Sequence, residues 1–157
     1  MIDNGLKRIS NLEPLRMTLV SLCLCDQNIS IIEGLDMPCL RELYLHRNCI
    51  KEIGDGLLAC PKLTKLWLFQ NGIKTVSGLS NLNLLEECWL QANKIKKLDG
   101  FEYNQNLVYL GVAGNPIQTY GELLKLKHLS NLQELSCNDI HFGRCNIVDI
   151  TDSGGYK

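Results

Sequence analysis

Residues 63–84 read LTKLWLFQNGIKTVSGLSNLNL and carry the pattern that decides the fold. The apolar residues and the asparagine of this pattern are Leu63, Leu66, Leu68, Asn71, Ile73, Val76, Leu79 and Leu82. The same pattern starts at Leu40, Leu63, Leu85 and Leu107, so successive starts differ by 23, 22 and 22 residues. A repeat of this length predicts stacked structural units rather than one globular core.

Each part of the pattern has a physical meaning. The segment LxxLxL alternates with period two at its second and third leucines, which predicts a short strand with one buried face. The asparagine ends the strand, and its amide can satisfy backbone groups in the turn. We therefore expect a ladder of stacked asparagines, each worth roughly 1–3 kcal/mol because its loss leaves a buried backbone group without a partner. The ladder residues are Asn48, Asn71, Asn93 and Asn115.

The pattern LxxLxLxxNxIxxIxGL resembles the leucine-rich repeat, in its short intracellular subtype of about 22 residues. That subtype is typified by the phosphatase-regulating protein Sds twenty-two and the outer-arm dynein light chain one. The resemblance covers residues 19–138, and the segments ISIIEGL, LWLFQNGIKTVSGL and LSCNDIHFG resemble the leucine-rich repeat-containing protein nine family. It implies an α/β fold: a right-handed solenoid with a concave parallel β-sheet and convex loops with short 3-10 or α turns.

The chain divides into a repeat block and two flanking segments. Residues 1–18 have apolar residues at helical spacing and predict an N-terminal cap helix that ends near Pro14. Residues 19–136 hold about five to six repeats, and the first of these has Gln27 where the others have the ladder asparagine. Residues 122–129 predict a helical turn on the convex side. Residues 137–157 are expected to form a C-terminal cap and a flexible polar tail.

Composition narrows the class of protein. The net charge of −1 gives no general attraction to nucleic acid or membrane surfaces. No apolar run is long enough to span a bilayer, and the first residues lack the apolar core of a signal peptide. Among eight cysteines, Cys88 and Cys137 replace leucines of the pattern, which favours free thiols in a reducing, cytoplasmic compartment. The family resemblance adds the cilium or the cytoskeleton as a location.

The strand phase predicts which side chains face the open, concave side. The column in the middle of each LxL is Cys23, Tyr44, Trp67, Trp89, Gly111 and Ser136, and the column after it is Cys25, His46, Phe69, Gln91, Ala113 and Asn138. Neighbouring strands are about 4.8 Å apart, so the rings in these columns form one aromatic surface. We predict that it binds a protein partner through Tyr44, His46, Lys65, Trp67, Phe69, Glu87, Trp89, Gln91 and Tyr109. The alternative is that the rings only pack on each other or on the first helix.

Other candidate sites are weaker. Cys23, Cys25 and His46 are close enough in the predicted sheet to hold zinc, with Asp26 nearby, but a metal-free cluster is favoured because structural zinc sites use four dedicated ligands. The lysines at 94, 96, 97, 125 and 127 are interpreted as a solvated face rather than a nucleic-acid site, since aromatic residues do not alternate with them. The residues form no catalytic constellation and call for no cofactor.

The sequence therefore predicts a non-enzymatic protein–protein interaction module, monomeric, that docks one protein on its concave face. The family resemblance implies two alternatives: a regulatory subunit of a protein phosphatase, or a structural spacer in a longer repeat protein of cilia. Loss of the repeat pattern after Ser136 favours a terminating cap over simple continuation of the array.

Overall fold

The computed structural model describes residues 5–147 and contains a six-stranded parallel sheet whose strand order follows the chain. The strands are β1 (Ser21–Cys23), β2 (Glu42–Tyr44), β3 (Lys65–Trp67), β4 (Glu87–Trp89), β5 (Tyr109–Gly111) and β6 (Glu134–Ser136). Each is short because the asparagine turn soon follows the alternating part of the pattern. The predicted solenoid with a concave parallel sheet is confirmed.

One buried side chain from each strand forms the central column of the core. The column is Leu22, Leu43, Leu66, Cys88, Leu110 and Leu135, and its members are paired in register. The four inner members are 0% exposed, whereas Leu22 and Leu135 at the two ends are half-buried. Cys88 thus packs as the apolar residue that its place in the pattern predicts.

The predicted asparagine ladder is present. Asn93 Oδ1 accepts the backbone N–H of Ile73 at 3.0 Å, so it holds the turn of the preceding repeat. Asn93 Nδ2 donates to the carbonyls of Leu68 at 2.9 Å and Leu90 at 3.0 Å. Asn48, Asn71 and Asn115 make the corresponding bonds. Each amide therefore joins two repeats.

Gln27 takes the ladder position of the first repeat without disrupting the turn. Its Oε1 accepts the N–H of Leu6 at 3.2 Å and its Nε2 donates to the carbonyl of Cys25 at 3.1 Å. The longer side chain reaches the segment before the first strand, as an asparagine reaches the repeat before its own. The glutamine is 5% exposed.

The residue before each ladder position adopts a left-handed backbone, which the sequence did not predict. The positive φ values are 55° at Asp26, 58° at Arg47, 52° at Gln70, 52° at Ala92 and 68° at Gly114. This conformation reverses the chain at the end of the strand so that the asparagine points back toward the core. Asp and Asn tolerate it better than Ala does.

A second group of asparagines holds the convex side together. Asn81 Nδ2 donates to the carbonyls of Leu57 at 3.1 Å and Leu58 at 2.8 Å in the preceding repeat. Asn104 is 0% exposed and donates to the carbonyls of Leu79 and Leu82, both at 3.0 Å. Asn81 lies four residues before the repeat start at Leu85 and Asn104 three residues before that at Leu107, so the leucine pattern alone did not reveal them.

Close approach of the convex turns requires glycine at Gly78. Its φ is +76°, and an added Cβ would lie 1.8 Å from the carbonyl oxygen of Gly54. The glycine that the sequence placed before Leu79 therefore lets two repeats stack as well as letting the backbone bend.

The predicted helix over residues 1–18 is wrong in its described part. Residues 5–12 contain no helix, and a single 3-10 turn, Glu13–Leu15, follows them. Ile9 is 4% exposed and its carbonyl faces Gly34, in the way the carbonyl of Val76 faces Gly100. Residues 5–18 thus form the convex half of a repeat. The spacing of three between apolar residues suits this turn as well as a helix.

The C-terminal part includes the predicted helical turn, formed by α1 (Tyr120–Leu124) and a 3-10 turn, Lys125–His128. After β6 the chain forms an antiparallel hairpin of β7 (Asn138–Asp139) and β8 (Gly143–Arg144). The predicted flexible tail lies outside the described residues, as do residues 1–4 of the predicted N-terminal cap helix. The helices within residues 5–147 are all too short or too polar to cross a membrane.

Candidate functional site

The register of the sheet confirms the middle column that the sequence assigned to the concave face. Tyr44 pairs with Trp67, Trp67 with Trp89, and Trp89 with Gly111. Lys65 and Glu87 are paired in the adjacent column, which ends at Tyr109 and Glu134. Parallel strands in register place these side chains one above another across the sheet.

The rings on this face form a continuous network, which we call the aromatic patch: Tyr44, His46, Trp67, Phe69, Trp89 and Tyr109. Tyr44 contacts Trp67 edge-on with ring centroids 4.8 Å apart, and Trp67 lies 5.1 Å from Trp89. Trp89 stacks on Tyr109 at 4.4 Å. His46 stacks on Phe69 at 4.3 Å with an interplanar angle of 14°. Such contacts hold the rings in fixed orientations.

The patch is half-buried rather than fully exposed. All six residues have intermediate exposure, because each ring covers part of its neighbour. The indole Nε1 atoms of Trp67 and Trp89 are buried and have no hydrogen-bond partner among the described residues. Packing of the rings on each other, which the sequence left as the alternative, therefore does occur. It leaves ring surface on the open side.

Gln91 differs from its expected role as a surface contact. It is 0% exposed, and its Nε2 donates to the hydroxyl of Tyr109 at 3.1 Å. The side chain lies over Gly111, since an added Cβ there would be 2.1 Å from Gln91 Nε2. The missing side chain at Gly111 thus provides the space into which Gln91 folds. The expectation that Gln91 faces a partner is wrong for this conformation.

Phe142 joins the network from the C-terminal hairpin, and the sequence did not predict it. Its ring centroid is 5.4 Å from that of Phe69, although the two residues are more than 70 positions apart. Its carbonyl also faces Gly114, where an added Cβ would be 2.2 Å away. The hairpin therefore folds back along the edge of the sheet. Phe142 lies outside the repeat pattern, so the sequence did not indicate where its side chain points.

An acidic groove borders the aromatic patch on the side of β5 and β6. Its lining includes four carboxylates: Glu86, Glu87, Glu134 and Asp139. Trp89 and Tyr109 form its aromatic wall, and Ile140 at the tip of the hairpin is 94% exposed. Burial raises the pKa of Tyr109 above its usual value, so the phenol stays protonated at neutral pH.

Polar contacts fix the other border of the patch. Lys65 Nζ lies 3.1 Å from Glu87 Oε1, and this partner raises the pKa of the lysine. The hydroxyl of Tyr44 donates to Glu42 Oε2 at 3.0 Å, and Ser21 Oγ donates to the same oxygen at 3.1 Å. Burial first, and this hydrogen bond second, raise the pKa of Tyr44. The charged side chains at this border are therefore ordered by contacts within the chain.

Of the three residues weighed as metal ligands, Cys25 and His46 lie close together with Asp26 at the N-terminal end of the concave face, and Cys23 lies beside Cys25. Cys23 Sγ and Cys25 Sγ are 3.5 Å apart. Ligand atoms of Cys25, Asp26 and His46 all lie within 4.8 Å of one another. Burial lowers the pKa of His46, which favours the neutral imidazole.

A second thiol pair lies in the terminal hairpin. The backbone N–H of Cys145 donates to the carbonyl of Cys137 at 2.8 Å, and Cys145 Sγ points to the carbonyl of Val112 at 3.2 Å. Contact between the two thiols lowers the pKa of Cys137 and raises that of Cys145. All eight cysteines of the chain are free thiols in the structure.

The lysines on the convex side do not form one uniform cationic surface. Lys125 Nζ contacts Asp99 at 2.7 Å and Glu122 at 2.9 Å, so its charge is compensated locally. Lys94, Lys96 and Lys97 are exposed. The prediction of a solvated face remains the simplest interpretation of this region.

Sequence comparison finds relatives among leucine-rich repeat proteins. The chain is 37% identical over 119 residues to leucine-rich repeat-containing protein 23 of Bos taurus, which covers 74% of this chain and 35% of the relative. It is 25% identical over 103 residues to leucine-rich repeat-containing protein 56 of Rattus norvegicus, and the match covers 66% of this chain and 19% of that relative. The chain thus spans about a third or less of these curated relatives. No protein-family model matches it.

Structure comparison gives the same fold. Internalin C2 of Listeria monocytogenes superposes with a TM-score of 0.74 at 26% identity, over 84% of this chain and 57% of the internalin. A leucine-rich repeat protein of Leptospira interrogans gives a TM-score of 0.68 at 27% identity, over 80% of this chain and 32% of the Leptospira protein. Repeat pattern, strand register, asparagine ladder and comparisons agree that this chain has the leucine-rich repeat fold.

Proposed function

We propose that this protein is a non-enzymatic interaction module that binds a protein partner through the aromatic patch. The observation that carries the proposal is the continuous ring network on the open face of the sheet. Its relatives are leucine-rich repeat proteins, which suggests protein interaction in general terms. The concave site is our own inference from the geometry.

The chemistry of the patch suits an interface. Tyrosine and tryptophan bury large areas at a low cost in side-chain entropy, and they dominate the energetics of many interfaces. Here the rings already hold each other in place, so a partner would order few side chains on binding. Trp67 lies at the centre of the patch, with contacts to Tyr44, Trp89 and Phe69. We therefore expect a partner seated on the patch to contact Trp67.

The acidic groove favours a partner segment with a basic side chain. Four carboxylates line the groove, of which Glu87 is already paired with Lys65, and none of the lining residues is basic. A lysine or arginine entering there would lie near Trp89 and Tyr109 as well as the carboxylates, which combines charge attraction with a cation–π contact. We therefore expect the bound segment to carry apolar residues against Trp67 and a basic residue beside Trp89.

Affinity measurements with matched variants test the proposal. Quantitative affinity capture with the parent chain would identify the partner, and calorimetry with that purified partner would give affinities. Trp67→Ala and Trp89→Ala should each weaken binding by about 2 kcal/mol or more, some 30-fold in Kd. Tyr103→Ala is the control, because Tyr103 is 63% exposed and contributes no ring to the patch. It should bind as the parent does.

Equal affinities of the parent and the Trp67/Trp89 double alanine variant, with both folded, would contradict the proposal. That result would favour a second candidate, a structural spacer in a longer repeat array. The specific observation in favour of a spacer is that this chain matches only 35% of the bovine relative. A spacer would retain its interactions when the patch is removed, and would lose them when its convex surface is changed.

The narrower resemblances and the assembly state stay predictions. The relatives found are named leucine-rich repeat-containing proteins 23 and 56. A phosphatase-regulating role, a ciliary or cytoskeletal location, membership of the leucine-rich repeat-containing protein nine family and a cytoplasmic monomer all rest on the sequence interpretation. Light scattering of the purified chain would test the monomer directly.

A further inference from the structure

We propose a zinc-binding site at the N-terminal end of the concave face. Its four ligands are Cys23, Cys25, Asp26 and His46, which we call the thiol–imidazole cluster. The cluster joins the first repeat to the second, since His46 follows β2 and the other three residues follow or end β1. Zinc binding there requires no partner on the aromatic patch.

The backbone brings the four ligands together without any long-range rearrangement. Cys23 and Cys25 are two residues apart along an extended segment, so both side chains point to the concave face. The N–H of Asp26 donates to the carbonyl of His46 at 3.2 Å, which continues the β1–β2 pairing past the strand ends. The left-handed backbone of Asp26, with φ of 55°, then turns its carboxylate back toward the cluster.

Three of the ligands, Cys25, Asp26 and His46, suit tetrahedral zinc after small side-chain rotations. Cys23 adjoins Cys25 but lies outside that group, so its side chain must rotate further toward the other two. With Zn–S bonds of about 2.3 Å, two thiolates of one tetrahedral site are about 3.8 Å apart. Cys23 Sγ and Cys25 Sγ are 3.5 Å apart. The ligand atoms of Cys25, Asp26 and His46 are within 4.8 Å of one another, so they need to approach by about 1 Å for bonds of zinc length.

The imidazole of His46 offers a nitrogen that could bind the ion. His46 Nδ1 is buried and has no hydrogen-bond partner among residues 5–147. A buried polar nitrogen without a partner costs roughly 1–3 kcal/mol, and a metal ion is one of the groups that removes this cost. The ring is held by stacking on Phe69 at 4.3 Å, so its orientation is set before any ion binds.

The ligand types favour zinc over the harder cations. Two thiolates and an imidazole are ligands of Zn²⁺, whereas Mg²⁺ and Ca²⁺ prefer oxygen atoms throughout. Asp26 supplies the fourth ligand that was missing from the three residues weighed in the sequence. Its Oδ1 contacts Arg47 Nε at 2.8 Å, and such a contact orients a carboxylate for metal binding through its other oxygen.

Cobalt substitution tests the site on the full chain. The protein would be reduced, freed of metal with a chelator and titrated with Co²⁺, then with Zn²⁺. We expect one Co²⁺ per chain, visible ligand-field bands of tetrahedral strength and a near-ultraviolet thiolate-to-cobalt charge-transfer band. One equivalent of Zn²⁺ should bleach these bands, because zinc binds such sites more tightly.

Variants assign the ligands. Cys25→Ser should weaken Zn²⁺ binding by more than about 100-fold, which exceeds the effect typical of an outer-shell group. Cys23→Ser should reduce the charge-transfer band by about half, as one of two thiolates is lost. His46→Asn and Asp26→Asn should each shift the ligand-field bands. The controls are Cys49→Ser, an exposed thiol outside the cluster, and Cys137→Ser, which removes the other thiol pair. Both should behave as the parent does.

Alkylation provides a measurement that depends on no variant. Bound Zn²⁺ should protect Cys23 and Cys25 from iodoacetamide and leave Cys49 reactive, as read by mass spectrometry of peptides. The proposal is overturned if the parent shows only octahedral cobalt bands, if no charge-transfer band appears, or if Cys137→Ser abolishes the bands. Equal alkylation of Cys25 with and without Zn²⁺ would also overturn it.

Discussion

The first repeat, residues 19–39, and the third repeat, residues 63–84, follow one pattern but are not equally held. In the third repeat Leu66 is 0% exposed, and Asn71 bonds to its own loop and to the preceding repeat. In the first repeat Leu22 is half-buried and Gln27 replaces the asparagine. The difference lies in the neighbours: β3 is paired on both sides, whereas β1 has a strand on one side only within residues 5–147.

This contrast shows that stability in the solenoid is shared between adjacent repeats. A leucine pointing inward gains burial from the strands on both sides, and no single unit could bury it. The same side chain at an end of the sheet keeps part of its surface in water. Stability should therefore rise from the ends to the centre even where the sequence pattern is uniform.

The largest expected effect is at the central leucine column. Leu66→Ala should lower the free energy of unfolding by about 3–5 kcal/mol, since it leaves a cavity between two flanking strands. Leu22→Ala should cost roughly half as much, because Leu22 is already partly exposed. Urea unfolding of both variants measures the difference. Equal losses would mean that the end repeat is as well packed as the centre.

An intermediate effect is expected in the asparagine ladder. Asn93→Ala should cost about 2–3 kcal/mol, because the Ile73 N–H and two carbonyls lose their partner in a buried setting. Gln27→Ala should cost less, as its partner Leu6 N is near the exposed start of the solenoid. Asn93→Asp is the control: it keeps the acceptor but loses both donated bonds, so it should also destabilise. A larger loss for Gln27→Ala than for Asn93→Ala would reverse the comparison.

The smallest effect concerns the left-handed residue before the ladder. The first repeat has Asp26 there and the fourth has Ala92, with φ of 52°. Ala92→Gly should raise the free energy of unfolding by about 0.5–1 kcal/mol, because glycine removes the steric cost of this conformation. Ala113→Gly, at a buried alanine outside the left-handed region, should instead lower it. Thermal unfolding distinguishes the two signs, and destabilisation by Ala92→Gly would show that the methyl group has a packing role.

Strand phase was predictable from sequence because it depends on a period of two. The alternation at Leu66, Trp67 and Leu68 fixes which side chains are inward, and the pairing of Trp67 with Trp89 confirms it. The spacing of three at Ile9 and Leu12 was ambiguous, as a convex turn and a helix both place apolar residues at that interval. The two are distinguished by a three-dimensional contact that the spacing does not specify, that of the Ile9 carbonyl with Gly34.

The sequence predicted the site residues correctly only where the alternation of the strand determines which way a side chain points. Gln91 points to the concave side as the phase requires, but the space over Gly111 lets its side chain fold down and become buried. Phe142 lies past the last repeat, and its contact with Phe69 depends on how the hairpin turns. Both outcomes depend on side-chain conformation or loop geometry, which a repeat pattern does not specify.

The ladder has a direction, because every asparagine oxygen binds an N–H of the repeat before its own. Opening of the solenoid from its two sides therefore leaves different groups without partners. When a repeat detaches on the C-terminal side, the unit preceding it loses an acceptor and becomes easier to open. When one detaches on the N-terminal side, the next ladder asparagine loses its two bonds to that repeat and keeps only the bond to its own loop.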